Sequence, residues 1–358
     1  MLKHLLSRIA STFKIKWNSA KVTAKSPKID LSSLSPMSQA IFKDYQVRRT
    51  KKQKTAFINY MISMIPGLRI EPCYSSSHNL VWGDIHNAKY IFTAHYDTPN
   101  KSLFSIIHTP KRPIIGNLHL IKRLIPSLVI TVLLTYLLCK QPSFFSYLFT
   151  CILLIGFLWF PLNIICILGV TPNKNNFNDN TSGIVTLCEL IQSLDKDEIK
   201  VAFVFFDNEE KGCLGAKCFN KFYKEEKLDI KRFKLLRNKK YPKDKLLINF
   251  DCVANGDHMV FTIPNHLYDE LSKNFDNAYN SNVVENVRIT EYTENASKVK
   301  FSSDQKAFHN GVGVSALCKD KNGELCLPHT HTAQDTIFQT ENIQFLVEGT
   351  KRLLKELP

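Results

Sequence analysis

Three short apolar runs in this chain stop at residues able to bind a metal ion, and that pattern narrows the folds open to it. Residues 88–94 end on His95, residues 200–206 run into Asp207-Asn208-Glu209-Glu210, and residues 246–250 end on Asp251. Runs of this length and character read as strands buried on both faces. Residues 312–318 read as a further strand, and residues 180–194 as a helix with Ile184, Leu187, Cys188, Ile191 and Leu194 on one face. Strands alternating with helices predict an α/β fold, a mixed and mostly parallel sheet flanked by helices. Such a sheet places functional side chains beyond its strand ends.

Residues 37–66 read as helical, with Ala40, Ile41 and Tyr45, then Phe57, Met61 and Ile65 on one face, and Pro66-Gly67 ending the run. Residues 124–139 and 144–170 then carry no charge at all, separated by a short polar turn containing Lys140. The second run is long enough for a bilayer core of ~30 Å. The pair predicts a transmembrane hairpin inserted into the α/β domain. Lys101, Lys111, Arg112, Lys122, Arg123 and Lys174 flank it without an acid, so the positive-inside rule puts the folded domain on the cytoplasmic side. The expected organisation is a basic amphipathic segment at 1–36, the first part of the α/β domain at 37–112, the hairpin at 113–170, and the second part at 171–358.

Residues 1–29 hold seven Lys or Arg and no acid, as a membrane-surface helix or a targeting segment does. The net charge of +15 suits an anionic surface. No nucleic-acid-binding motif occurs, so a lipid bilayer is the expected partner rather than DNA or RNA. Ten cysteines without a Cys-x-x-Cys pair read as free thiols in a reducing compartment, not as a disulfide framework. No oligomeric state is indicated.

The chemistry-bearing residues are spread along the chain. In His95-Tyr96-Asp97, positions two apart on an extended chain point the same way. The histidine can bind a cation through one nitrogen while the carboxylate holds the proton on the other. Asp179 lies in Asn178-Asp179-Asn180-Thr181-Ser182-Gly183, where it either caps the following helix or bridges two cations. Asp207, Glu209 and Glu210 are a solvated acidic turn, or a ligand beside a general base. Asp251 ends a strand. Of His329 and His331, either could be a ligand.

Six pieces of sequence, in order, are Ala94-His95-Tyr96-Asp97, Asn178 to Gly183, Phe205-Phe206-Asp207-Asn208-Glu209-Glu210, Ile248-Asn249-Phe250-Asp251, Ser303-Asp304, and His331-Thr332-Ala333-Gln334-Asp335-Thr336. Together they resemble the M28 family of zinc peptidases, which includes aminopeptidases. The likeness runs from about residue 40 to the C-terminus apart from the insert, with Thr93 standing where the family commonly has Gly. It implies a zinc-dependent exopeptidase fold and two zinc ions per chain, with His95 and Asp251 on one, Glu210 and His331 on the other, and Asp179 bridging. It further implies Glu209 as general base and acid, Asp97 as the residue that orients His95, and His331 over His329. The implied function is a membrane-tethered dizinc metallopeptidase that removes N-terminal residues from peptides. A glutaminyl-cyclase-like acyl transferase and a non-catalytic membrane adaptor on a peptidase fold are the alternatives.

Overall fold

The computed structural model describes residues 29–73, 77–103, 107–112, 124–125, 128–129, 131–133, 143–194, 200–224, 245–280, 289–299 and 301–357. The expected amphipathic helix near the N-terminus lies outside the described residues up to residue 28. Leu31–Pro358 packs as one unit.

The strands are β1 (Arg69–Pro72), β2 (His78–Trp82), β3 (Tyr90–His95), β4 (Val201–Phe206), β5 (Leu246–Phe250), β6 (His258–Ile263), β7 (Thr290–Asn295), β8 (Gly311–Lys319) and β9 (Leu325–Cys326). The helices are α1 (Pro36–Asp44), α2 (Lys51–Met64), α3 (Phe144–Leu154), α4 (Phe160–Leu168), α5 (Gly183–Ser193), α6 (Leu214–Lys224), α7 (Tyr268–Ala278) and α8 (Thr340–Glu356). The strands join in one sheet of order β1-β2-β4-β3-β5-β8-β6-β7, with β9 paired to β8. The central β4-β3-β5-β8 block is parallel, whereas β1-β2, β2-β4, β6-β8 and β8-β9 are antiparallel. This is the expected mixed α/β architecture.

The central strands read as continuous apolar runs because both faces are covered. Ala202, Val204 and Phe206 of β4 pack with Ile91, Leu247 and the α6 residues Ala216, Phe219 and Tyr223. The alternate residues point the other way, where Phe92 meets Phe203 and Phe250 with ring centroids 5.4 and 6.2 Å apart. Helix α5 packs against β3, β4 and β5, with α1 and α8 also packed against it. Burying a side chain of this kind stabilises by about 1.5–3 kcal/mol, so this double layer holds the strand ends in place.

Three expectations are corrected. The helical reading of 37–66 resolves into α1 and α2, separated by residues 45–50. Thr50 starts α2 with a capping box: its hydroxyl accepts the N–H of Gln53, and the Gln53 side chain accepts the N–H of Thr50.

The transmembrane hairpin is not upheld, because no helix among the described residues is long and apolar enough to cross a membrane. The second uncharged run is divided into α3, a widened turn at Ile155–Trp159, and α4, of 11, 5 and 9 residues. A spanning helix needs ~20 consecutive residues. Pro161 has no N–H to continue the helical ladder, and the widened turn ends two residues before it, at Trp159. Of the first run, only residues 124–125, 128–129 and 131–133 are described. The integral-membrane placement and the cytoplasmic orientation derived from the hairpin fall with it.

The all-thiol reading fails as well. Cys73 and Cys218 form a disulfide, while Cys151, Cys166, Cys188, Cys213, Cys252, Cys318 and Cys326 are free. The pair is 145 residues apart in sequence, so spacing carried no signal. Packing of α6 against β2 brings their Cα atoms to 6.0 Å, within reach of a disulfide.

Candidate metal centre

The sheet places its chemistry on one edge of the parallel block. His95 pairs alongside Phe206, and Thr93 alongside Asn249, so β3, β4 and β5 end at nearly the same level. From β3 the chain reaches β4 on one side and β5 on the other. A reversal of this kind opens a crevice beyond the carboxyl ends of the strands. His95, the loop from Asp207 to Glu210, and Asp251 all enter that crevice.

Asp179 arrives from a wide turn at Phe177–Ser182 that precedes α5. Gly183 follows because nothing larger fits: a Cβ there would meet the Phe250 carbonyl at 2.4 Å. The turn is bound on several sides. Asn180 donates to the Phe250 carbonyl and accepts the Gly183 N–H, both at 3.0 Å. Ser182 donates to the Asn178 carbonyl and accepts the Val253 N–H, and Asn178 accepts the Ala254 N–H. Asp335 closes it from the far side, its two oxygens accepting the N–H groups of Asn178 at 2.9 Å and Asp179 at 3.0 Å.

Two trios of side chains converge on Asp179. His95 Nε2 lies 3.4 Å from Asp179 Oδ1 and 3.5 Å from Asp251 Oδ1. His331 Nε2 lies 3.2 Å from the other oxygen, Asp179 Oδ2, and 3.3 Å from Glu210 Oε2. Within each trio, His95-Asp179-Asp251 and Asp179-Glu210-His331, one ligand atom per residue lies within 4.8 Å of the others. His329 joins neither trio. Asp207 also stands apart: it pairs with Lys54 and accepts the His78 N–H at 3.1 Å.

These residues fit cations. Asp251 Oδ1 and Glu210 Oε1 are buried without a hydrogen-bond partner among the described residues. Ionised carboxylates only accept, and crowding them without a cation is costly. Ligands ~2.0–2.1 Å from a shared tetrahedral centre stand roughly 3.3–3.4 Å apart, which the observed separations match.

The titration behaviour follows from the same crowding. Burial, with repulsion from neighbouring carboxylates, pushes Glu209 and Glu210 up to about 8. Burial would also raise Asp179, but hydrogen bonds with His331 and His95 outweigh it and hold its carboxyl below the usual range. For His331, burial lowers the pKa, yet the charge of Glu210 and the contacts with Asp179 carry it up to about 10.

Asp97 is placed differently from the simple His-x-Asp picture. Its carboxylate is 3.6 Å from His95 Nδ1, whereas its own main-chain oxygen is 3.1 Å away. The carboxylate instead accepts the Glu209 N–H at 2.8 Å and the Glu210 N–H at 3.3 Å. It therefore holds the backbone of both glutamates.

Three further residues had no assigned role in the sequence. Arg48 is fully buried behind the site, donating to the carbonyls of Tyr96 and Tyr45 and to the Thr181 hydroxyl. Burial pulls its pKa down to about 9, against the attraction of Asp97 and Asp179. Asp304 is fully buried, neither oxygen has a partner among the described residues, and burial together with Glu209 raises its pKa well above the usual range. His108 is tied by backbone hydrogen bonds of 3.2 and 2.8 Å to Leu327, and feels the charges of His331, Asp179 and Asp251. Single functional positions in polar segments carry no periodic signal. Only the quoted Ser303-Asp304 pair could have drawn attention.

Comparison with known proteins agrees with this architecture. Residues 169–346 match the model of peptidase family M28, a stretch that includes Asp179, Glu209, Glu210, Asp251 and His331 but not His95. Members of this family bind zinc. The glutaminyl cyclase of Bacteroides thetaiotaomicron, solved bound to N-acetylhistamine, is similar in structure, with a TM-score of 0.53 at 13% identity over 93% of this chain and 100% of that one. The glutaminyl cyclase of Tannerella forsythia gives 0.52 at 11% identity, over 90% and 98%. The LapA aminopeptidase of Legionella pneumophila gives 0.47 at 13% identity, over 90% and 69%. No curated protein is significantly similar in sequence. Built on a fold that it shares with glutaminyl cyclases, this chain carries a peptidase family M28 domain at residues 169–346.

Proposed function

We propose that this protein is a two-zinc exopeptidase that removes N-terminal residues from peptides. The observation that carries the reading is Asp179, whose two oxygens face two separate histidine–carboxylate groups. His95, Asp179 and Asp251 would hold one ion, and Asp179, Glu210 and His331 the other. Bound there, zinc would polarise the scissile carbonyl as a Lewis acid and make a water acidic enough to ionise near neutral pH.

The chain's own groups do the rest. Glu209, held at its backbone by Asp97, takes the proton of the attacking water and passes it to the departing amine. Asp335 and the Asn178–Ser182 turn keep Asp179 fixed, so little is reorganised during the reaction.

Cyclisation of N-terminal glutamine is a second reading, favoured by the two glutaminyl cyclases of the same fold. A mixed peptide library, incubated with the zinc-loaded protein and read by mass spectrometry, separates the two. Loss of N-terminal residues supports the first reading. Loss of ammonia alone from N-terminal glutaminyl peptides supports the second. No change in any peptide refutes both.

A further inference from the structure

The stretch between Asp97 and Asp179 contains no aspartate or glutamate and seven Lys or Arg. Its described helices α3 and α4 turn large apolar side chains to solvent. On α3 these are Phe145, Leu148, Phe149, Ile152 and Leu153, and on α4 Phe160, Leu162, Ile164, Ile165 and Leu168. At ~100° per residue, the α4 set covers more than half of the helix circumference. Phe145 is 81% exposed and Val170, just beyond α4, is 75% exposed. An apolar patch of this extent marks an interaction surface.

Charge decides between the occupants. Lys101 and Lys174, at the two ends of the stretch near α4, are exposed. Lys111 and Arg112 are exposed as well, although they pair with Glu294 and Glu324. A second copy of this chain would bring the same positive border against it. Anionic lipid headgroups attract that border, while their acyl chains accept the apolar side chains.

We propose that the α3–α4 face docks on an anionic lipid surface, and that docking braces the backbone carrying His331. No helix among the described residues is long and apolar enough to cross a bilayer. The bracing follows a short path. The Cys166 carbonyl near the end of α4 accepts the Leu103 N–H at 2.9 Å and the Ser102 hydroxyl at 3.4 Å. The Ser102 N–H donates to the His331 carbonyl at 2.8 Å. Gly169, which ends α4 at φ +70°, lies so close to the Lys101 carbonyl that a Cβ would stand 2.2 Å from it. The end of α4 is thus one residue removed from His331. The value of that bracing rests on His331 holding a metal; the docking itself does not.

The test is cell-free synthesis of the full chain in the presence of vesicles, followed by flotation. Vesicles are phosphatidylcholine with or without phosphatidylserine. The wild type is expected to float with the serine-containing vesicles at least ten-fold more than with pure phosphatidylcholine. Phe149→Glu/Ile152→Glu, at exposed positions, is expected to stay unbound with an unchanged circular dichroism spectrum and melting temperature, and Leu168→Glu to behave alike. On vesicle binding, hydrogen exchange at the Ser102 and Leu103 amides is expected to slow several-fold. Flotation that ignores the serine lipid, flotation retained by both variants, or a discrete dimer without flotation overturns the docking. Unchanged exchange at Ser102 and Leu103 overturns the bracing. Neither readout needs catalysis, so a chain that floats but cleaves nothing refutes the proposed exopeptidase and leaves the docking standing.

Discussion

Asp335 offers the sharpest mutational test of the site, because its carboxylate holds only the backbone of the bridging residue and meets no proposed ligand atom. It is 2% exposed, and its two oxygens each accept one backbone N–H, from Asn178 and Asp179. Asp335→Asn keeps the size but leaves a single acceptor oxygen, so one of the two buried N–H groups must face an NH₂ donor. Losing one charge-assisted hydrogen bond costs about 1.5–3 kcal/mol. Because the lost bond sits on the Asp179 backbone, the same displacement reaches both proposed ion positions. At about 1.4 kcal/mol per factor of ten, zinc affinity is expected to fall by roughly 10- to 100-fold, the range usual for partners that orient ligands. The assay is competition for zinc against a chelating dye at neutral pH, with circular dichroism to show that the variant is folded. A folded Asp335→Asn variant that binds zinc within two-fold of the wild type would show that Asp335 does not hold Asp179 in place for the metal.

Other expectations follow from the same geometry. Glu209→Gln should leave zinc content unchanged and lower kcat by about 10²–10⁴ on aminoacyl reporter substrates; hydrolysis at the normal rate contradicts the assigned base. Glu209 and Glu210 titrate at about 8 when folded against 4.5 ordinarily, so the native state keeps protons that the unfolded chain has lost. Their contribution to stability is complete below about pH 4.5 and disappears as pH rises through about 8. His331 acts in the same sense between 6.5 and about 10. The metal-free protein should therefore melt at progressively lower temperature from pH 6 to pH 10 in EDTA, and a flat profile in differential scanning fluorimetry would contradict this.

The strand framework was legible because residues 201–206 and 246–250 are buried on both faces and therefore apolar but for Asn249. Their ends pointed to Glu209, Glu210 and Asp251 for the same reason. The choice between His329 and His331 was not legible from the residues alone. Both sit in left-handed backbone, with φ of +66° and +59°, and only the fold of the loop turns His331 toward Asp179. Asp97 was noticed for its spacing from His95, but its hold on the Glu209 and Glu210 backbone depends on a loop 112 residues away. Arg48 left no trace, since in the basic run Arg48-Arg49-Thr50-Lys51-Lys52 nothing marks which cation is buried. The hairpin failed because hydropathy reports the absence of charge and not the length of the regular helices that form.

In the proposed site two cations share Asp179. Anomalous diffraction at the zinc absorption edge, from crystals of the zinc-loaded protein, tests it most directly. Two peaks are expected, one among His95, Asp179 and Asp251 and the other among Asp179, Glu210 and His331. A single peak, or peaks away from Asp179, would rule out a carboxylate shared by two ions.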